Sequence, residues 1–328
     1  MDALSAVLSV VHLNGAIFFQ GEFTEPWGFQ SPPSTSVARC LNRAKEHVIA
    51  FHLLLEGEAW VGLMDGDTIP VRAGDLVVFP HGDQHRMGRG EVPVLMDNES
   101  QMQQFLTGGL RPARAGGGGE MARFVCGYLT CDAQLRGLLL DGLPPLMTLN
   151  LGSDPGSAWL ESSLRFLVAS AAEVDSPGVE ALLTKLAEAL FIETLRRYMK
   201  QMPASGTGWL AGASDPQVGR ALALIHRDPA RTLSLADLAA EAGISRSVLA
   251  ERFRHYLGEP PMVYLTRWRL QGGARKLLAT SAAVAEIALQ SGYESEAAFN
   301  RAFKREFGVP PARYRKGARA LTGPSAER

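Results

Sequence analysis

Cysteine is scarce in this chain. The 328 residues include only Cys40, Cys126 and Cys131. That is too few for a disulfide framework, and it points to a reducing compartment. Long hydrophobic runs are missing as well. No apolar stretch approaches the ~20 residues that a membrane helix needs, which excludes a helical membrane protein. The opening residues carry Asp2 and no basic stretch, so no secretory leader is expected and the expected location is the cytoplasm. The net charge is only −1, so the chain as a whole is neither a polyanion nor a polycation. Its length exceeds what one hydrophobic core usually supports, and two domains are expected.

The small net charge conceals a division. From Asp215 onward there are 18 Lys+Arg against 11 Asp+Glu, or +7. Residues 1–214 have 15 against 23, or −8, and the two sum to −1. A basic C-terminal third beside an acidic remainder suggests that only the former meets a polyanion. The first ~110 residues read as strands, with β-rich runs (VIAFHLLL, AWVGLM, DLVVFP) broken by turn signals such as MDGDT and RAGD. RPARAGGGGE, Arg111 to Glu120, reads as a flexible loop, and ARFVCGYLT as another strand. The pattern then turns helical in WLESSLRFLVASAAEV and GVEALLTKLAEALFIETLRRYMK. The second carries an apolar stripe wide enough to pack on both its own domain and a partner. PASGTGWLAGASD, Pro203 to Asp215, reads as a linker.

The C-terminal third contains a repeat. SLADLAAEAG (Ser234 to Gly243) matches AVAEIALQSG (Ala283 to Gly292) at a shift of 49. Leu249, Phe253, Leu257, Gly258 and Pro260–Pro261 then match Phe299, Phe303, Phe307, Gly308 and Pro310–Pro311 at a shift of 50. Each copy reads as a short helix, a tight turn at Gly243 or Gly292, a second helix, and a Gly…Pro-Pro stop. Ser245 and Ser295 are the expected N-caps of the second helices. With Leu249, Phe253 and Leu257 turned inward, the first copy presents Arg246, Ser247, Ala250, Glu251 and Arg254. With Phe299, Phe303 and Phe307 inward, the second presents Glu296, Ala297, Asn300, Arg301 and Lys304. This mixture suits base edges in a major groove. Arg pairs with guanine, Asn with adenine, Glu accepts from cytosine, and Ala meets the thymine methyl. A purely basic face would hold phosphate without reading sequence.

These last ~100 residues resemble the DNA-binding domain of the AraC/XylS family of bacterial transcription regulators. The doubled unit, the long helix from Pro261 to Leu278 and the ending GYESEAAFNRAFKREFGVPPARYR carry the resemblance. It implies two recognition helices in successive major grooves of double-stranded DNA, with Arg246, Ser247, Ala250 and Glu251 as the first reading set and Glu296, Ala297, Asn300 and Arg301 as the second; Arg254 and Lys304, on the same outward faces, are expected to bind DNA beside them.

The N-terminal part contains GDLVVFPHGDQH, with the spacing G-x5-P-x-G-x2-H over Gly74, Pro80, Gly82 and His85. This resembles the second motif of the cupin β-barrel. FHLLLEGEAW, with His52, Glu56 and Glu58, resembles a degenerate first motif. The H-x-H pair of a metal cupin is absent, because Ala50 stands two before His52, and Arg89 stands where the motif usually ends in Asn. No metal, cofactor or catalytic activity is therefore expected; a metal-dependent cupin enzyme fused to DNA-binding helices is the rival. Alternation makes His52, Leu54, Trp60, Phe79 and His85 the candidates to line an effector site. Cys126 and Cys131, five apart in VCGYLTCD, are candidates for thiol-redox sensing.

The expected architecture is α+β. It has a cupin-like barrel with flanking helices over residues 1–200 (dimerisation helices about 155–200) and a linker over 201–214. An all-α double helix-turn-helix domain over 215–316 and a tail over 317–328 complete it. The resemblance implies a one-component regulator. Its expected partners are operator DNA, an unidentified small-molecule effector, RNA polymerase and a second copy of itself.

Overall fold

β-branched and aromatic runs settle into strands in the first half of the chain, and apolar residues at helical spacing settle into helices in the second. The computed structural model describes residues 2–8, 13–41, 43, 46–91, 96–97, 112–131, 136–153, 155–171, 178–203 and 206–320. It divides into two units: Val11–Met202, and Met1–Val10 together with Pro203–Arg328.

Helix α1 (Ala3–Leu8) opens the chain and is followed by β1 (Asn14–Thr24), β2 (Trp27–Gln30) and α2 (Ser34–Cys40). Then come β3 (His47–Glu56), β4 (Glu58–Leu63), β5 (Thr68–Arg72), β6 (Asp75–Phe79), β7 (His85–Arg89), β8 (Met96–Asp97), β9 (Ala113–Gly116), β10 (Met121–Cys131) and β11 (Met147–Asn150). The Val11–Met202 unit ends with α3 (Pro155–Ala171) and α4 (Val179–Gln201). The strands form a six-stranded sheet in the order β11-β6-β3-β10-β1-β9 and a five-stranded sheet in the order β5-β4-β7-β2-β8. The two sheets share one interior. Phe19, Phe23, Leu54, Phe79 and Phe124 reach it from the first, and Trp27, Phe29, Val61, Val71 and Met87 from the second. Among the described residues the sheets do not close into one hydrogen-bonded barrel; the cupin-like layer is a two-sheet sandwich. Helix α4 packs over β1 and β10.

The second unit contains α5 (Trp209–Ser214), α6 (Pro216–Arg227), α7 (Leu235–Ala242), α8 (Arg246–Leu257), α9 (Pro261–Ala279), α10 (Val284–Gln290), α11 (Glu296–Phe307) and α12 (Pro311–Ala320). Helix α9 is the long connector between the two repeats. Its Leu270, Ala274 and Leu277 share a core with Ile287, Ala288, Phe299 and Phe303. Gly273 lets this packing close, since a Cβ there would stand 2.8 Å from the Phe299 ring.

Three expectations about organisation are corrected. Residues 209–214 are a helix and not linker: Trp209, Leu210, Ala211 and Gly212 are buried, and the Trp209 indole donates to Tyr264 Oη at 2.8 Å. The small residues that look like linker composition are what let α5 approach Tyr256 closely. Residues 3–8 belong with the helical unit, because Ala3, Leu4, Ala6 and Val7 are buried where α1 packs on α5 and α6. The glycine-rich loop is strand in part, since residues 113–116 pair in parallel with residues 21–24 of β1. Its Ala-Arg-Ala-Gly sequence has little strand propensity, so the neighbour imposes the conformation. Of the expected tail, residues 317–320 finish α12, and residues 321–328 lie outside the described residues.

Candidate nucleic-acid interface and sensor interior

The two repeats fold alike because the same local chemistry sets each boundary. Gly243 and Gly292 take positive φ, 71° and 77°, and break the first helices. At Gly292 a Cβ would meet both the Arg269 guanidinium and the Pro229 carbonyl at 2.9 Å. Ser245 and Ser295 then start the second helices, their hydroxyls accepting from the amides of Val248 and Ala298. Gly258 and Gly308 end them in the left-handed conformation. The repeats differ at one start signal. Ser234 forms a capping box with Asp237, whereas Ala283 caps α10 without a side chain.

Each second helix has the two faces expected of it. Leu249, Phe253, Phe299 and Phe303 are fully buried, and Leu257 and Phe307 are half-buried. On α8, Arg246, Ser247, Glu251 and Arg254 are exposed and Ala250 is half-buried. On α11, Glu296, Ala297, Arg301 and Lys304 are exposed, and half-buried Asn300 donates to Glu296 at 3.4 Å. Arg305, also exposed, lies one turn beyond Arg301 on the same helix. Sequence reading omitted it, although its spacing from Arg301 was the available signal. Arg252 is not available in the same way: it pairs with Asp215 at 2.5 Å, at the N-cap of α6.

In the Val11–Met202 unit, His52, Leu54, Phe79 and His85 all reach the sandwich interior. Trp60 does not. Ala59 and Val61 point inward on β4, so alternation turns Trp60 out, where its indole donates to the Gly90 carbonyl at 3.4 Å. The Phe79 ring lies stacked on His85 at 3.7 Å between centroids. Phe124, surrounded by Phe19, Phe23, Trp27 and Phe29, fills the neighbouring space.

The two histidines are linked, and Cys126 joins them. Cys126 Sγ lies 2.7 Å from His52 Nδ1, His52 Nε2 lies 2.6 Å from His85 Nε2, and His85 Nδ1 lies 2.9 Å from the Asp83 carbonyl. The carbonyl can only accept, so His85 Nδ1–H donates to it. His85 Nε2 is then an acceptor for His52 Nε2–H, and His52 Nδ1 accepts from the Cys126 thiol. Every group in this chain is neutral. Burial, reinforced by His85, holds His52 well below the usual histidine range, burial brings His85 down to about 4, and burial pushes the Cys126 thiol up. Sequence reading missed the link because Cys126 and His52 meet only through the pairing of β10 with β3.

The proposed cysteine pair is not brought together. Cys126 faces the interior, and five residues along a strand place Cys131 on the opposite face, ~17 Å away. A disulfide needs Cα atoms within ~7 Å, so β10 would have to be rebuilt to join them. The carboxylates of the degenerate first cupin motif also turn away from the interior. Glu56 pairs with Arg123 at 2.9 Å, and Glu58 lies 3.6 Å from Arg89, which also binds Glu25 and Glu120. Among the described residues, no three His, Cys, Asp or Glu side chains converge to hold a metal ion.

Comparison with known proteins agrees with both halves. Residues 2–200 match a family described as "Cupin", and residues 238–317 one described as "Helix-turn-helix domain". The HTH-type transcriptional regulator AlkR of Acinetobacter baylyi is 30% identical over 319 residues, covering 96% of this chain and 99% of that protein. A putative AraC-like transcription regulator of Streptomyces lividans is 41% identical over 206 residues, 62% of this chain; the match spans 66% of that relative's length, just under two thirds. The DNA-binding domain of AdpA, solved with a target DNA, is 29% identical over 34% of this chain and 99% of that one, with a TM-score of 0.32. The chain belongs to the AraC-type transcription regulators that join an N-terminal cupin-like sensor domain to a C-terminal double helix-turn-helix DNA-binding domain.

Proposed function

We propose that α8 and α11 read an operator in two successive major grooves, with Arg246, Ser247, Ala250, Glu251 and Arg254 on the first helix and Glu296, Ala297, Asn300, Arg301 and Lys304 on the second. The observation that carries this reading is the doubled helix with a buried apolar spine and an outer face of mixed polarity. A face that only held phosphate would need cations alone, whereas Asn300, Glu251 and Glu296 suit base edges. The second helix has the longer polar side chains and carries more of the direct readout.

The sensor unit responds to a small-molecule effector, and ligand binding shifts the chain between arrangements of different DNA affinity. A second copy of the chain pairs through α3 and α4, where Trp159, Phe166 and Leu182 are more than half exposed. RNA polymerase is the partner at the promoter, and the protein acts in the cytoplasm. No catalysis is assigned to it.

Footprinting the full-length protein on the DNA around its own gene, beside Arg301→Ala at fixed salt, tests the reading. A discrete site in two adjacent major grooves, weakened or relaxed at one position by the substitution, is expected. Uniform weak protection that the substitution leaves unchanged overturns it.

A further inference from the structure

The last turns of α4 place Thr194, Arg197, Tyr198 and Gln201 at i, i+3, i+4 and i+7, on one face. A helix that packs beside a sheet ordinarily turns apolar residues toward it. Here the polar residues face β11, the edge strand of the six-stranded sheet, across a cavity of about 200 Å³. Leu146, Met147 and Leu149 form the apolar wall. The apolar stripe of the same helix, which includes Leu183, Ala187, Leu190 and Leu195, is already buried. The gap therefore lies where a polar helix face meets an apolar strand edge.

The polar side is rich in donors. Arg197 pairs with Glu193 at 3.0 Å and donates to the Asn150 carbonyl at 3.0 Å. Arg196 holds the other oxygen of Glu193 at 2.6 Å, so two guanidinium groups share one carboxylate. Tyr198, Gln201 and Thr148 add hydroxyl and amide donors at the rim. We propose that this cavity, and not the ring-filled sandwich interior, is the effector site, and that it takes a small amphipathic carboxylate. The apolar body lies against Leu146, Met147 and Leu149, and the carboxylate turns toward Arg197 and Tyr198.

The site is connected at both walls. Leu146 packs on the sandwich core, and His81, in the turn between β6 and β7, bonds the Leu143 carbonyl at 2.9 Å. The opposite wall is the end of α4, which leads through Met202 toward the helical unit. A ligand here would act on the last turn of the sensor. The purpose of the site rests on the sensor reading above; its chemistry does not.

Calorimetric titration of the full-length protein with 3-phenylpropanoate, 3-phenylpropan-1-ol and 3-phenylpropylamine tests the assignment, beside Tyr198→Phe and Gln201→Trp. The acid is expected to bind at one site per chain, about tenfold or more tighter than the alcohol, because a hydrogen-bonded charge is lost in the latter. The amine should not bind. Tyr198→Phe should weaken the acid severalfold, and the large side chain of Gln201→Trp at the rim should block it while leaving the unfolding temperature in place. Equal binding of acid and alcohol, acid binding that survives Gln201→Trp, or no saturable heat with any of the three overturns the proposal. DNA affinity is measured separately. An acid that binds here by these criteria without changing DNA affinity supports the site and refutes its role as sensor.

Discussion

His52, His85 and Cys126 show what burial does to groups that would titrate freely in water. Both histidines are neutral and below the ordinary 6.5, His85 at about 4. As pH falls from 6.5, the unfolded chain takes up protons that the folded sensor refuses. The stability these groups contribute is therefore present above 6.5 and lost as pH drops toward 4, by up to roughly 3 kcal/mol for His85 alone. Hydrogen exchange at the amides of β3 and β10, corrected for the intrinsic pH dependence, should show faster opening at pH 5 than at pH 7.5. Equal protection at both would mean that the pair takes up protons in the fold as readily as in the unfolded chain. The thiols should separate too. Cys40 is exposed, while Cys126 and Cys131 are buried, and Cys126 is protonated against His52. One thiol per native chain should react promptly with Ellman's reagent and three after unfolding; a second prompt thiol would reopen the redox reading.

Buried and outward-facing positions alternate within single helices, so neighbouring substitutions should have opposite consequences. Phe303 is fully buried among Phe299, Phe307 and Tyr314. Phe303→Ala should cost about 3–5 kcal/mol of stability through loss of burial and the cavity it leaves. Arg301, two residues away and exposed, should leave the unfolding midpoint unchanged when replaced by Ala, while weakening binding to the operator by about 1–3 kcal/mol. Denaturation and DNA titration of both variants check this. A loss of stability in Arg301→Ala would place that side chain in the fold and not in the groove. These elements were readable in advance because caps, glycine turns and apolar spacing are local signals, as Ser245, Gly292 and Phe299 show. Trp60 was misplaced because a strand's facing depends on where alternation starts, and that is set by pairing with β5 and β7. Residues 209–214 were misread because Gly212 serves close helix packing and not flexibility.

The molecule divides its chemistry along its charge. The helical third carries the excess cations and the acidic remainder carries the sensor, so DNA attracts one part and is repelled by the other. Two exposed aromatic side chains on α3, Trp159 and Phe166, lie seven residues apart and so share a face. Covered by a second copy, that face would leave water. Phe166→Glu should move the mass measured by light scattering from dimer to monomer at micromolar concentration. A dimer that survives the change unaltered would place the interface elsewhere. At this scale the first helix is the least legible element. It is expected in the cupin-like domain over residues 1–200, yet Leu4 and Val7 are buried where it packs on α5 and α6, within the helical unit.

The sequence by itself determined the doubled helix-turn-helix, its core and outer faces, the division of charge, and the strand-rich sensor with a degenerate cupin motif. Those features rest on periodicity and on turn chemistry, which act over a few residues. Only the tertiary structure decided that Cys126 meets His52, that Cys131 does not share its face, that Glu56 and Glu58 turn toward arginines, and that α1 and α5 belong to the helical unit. It also decided that a polar face of α4 stands across a cavity from β11. Each of these depends on strand register or on helices distant in sequence, and no local pattern specifies which distant residue will be the partner.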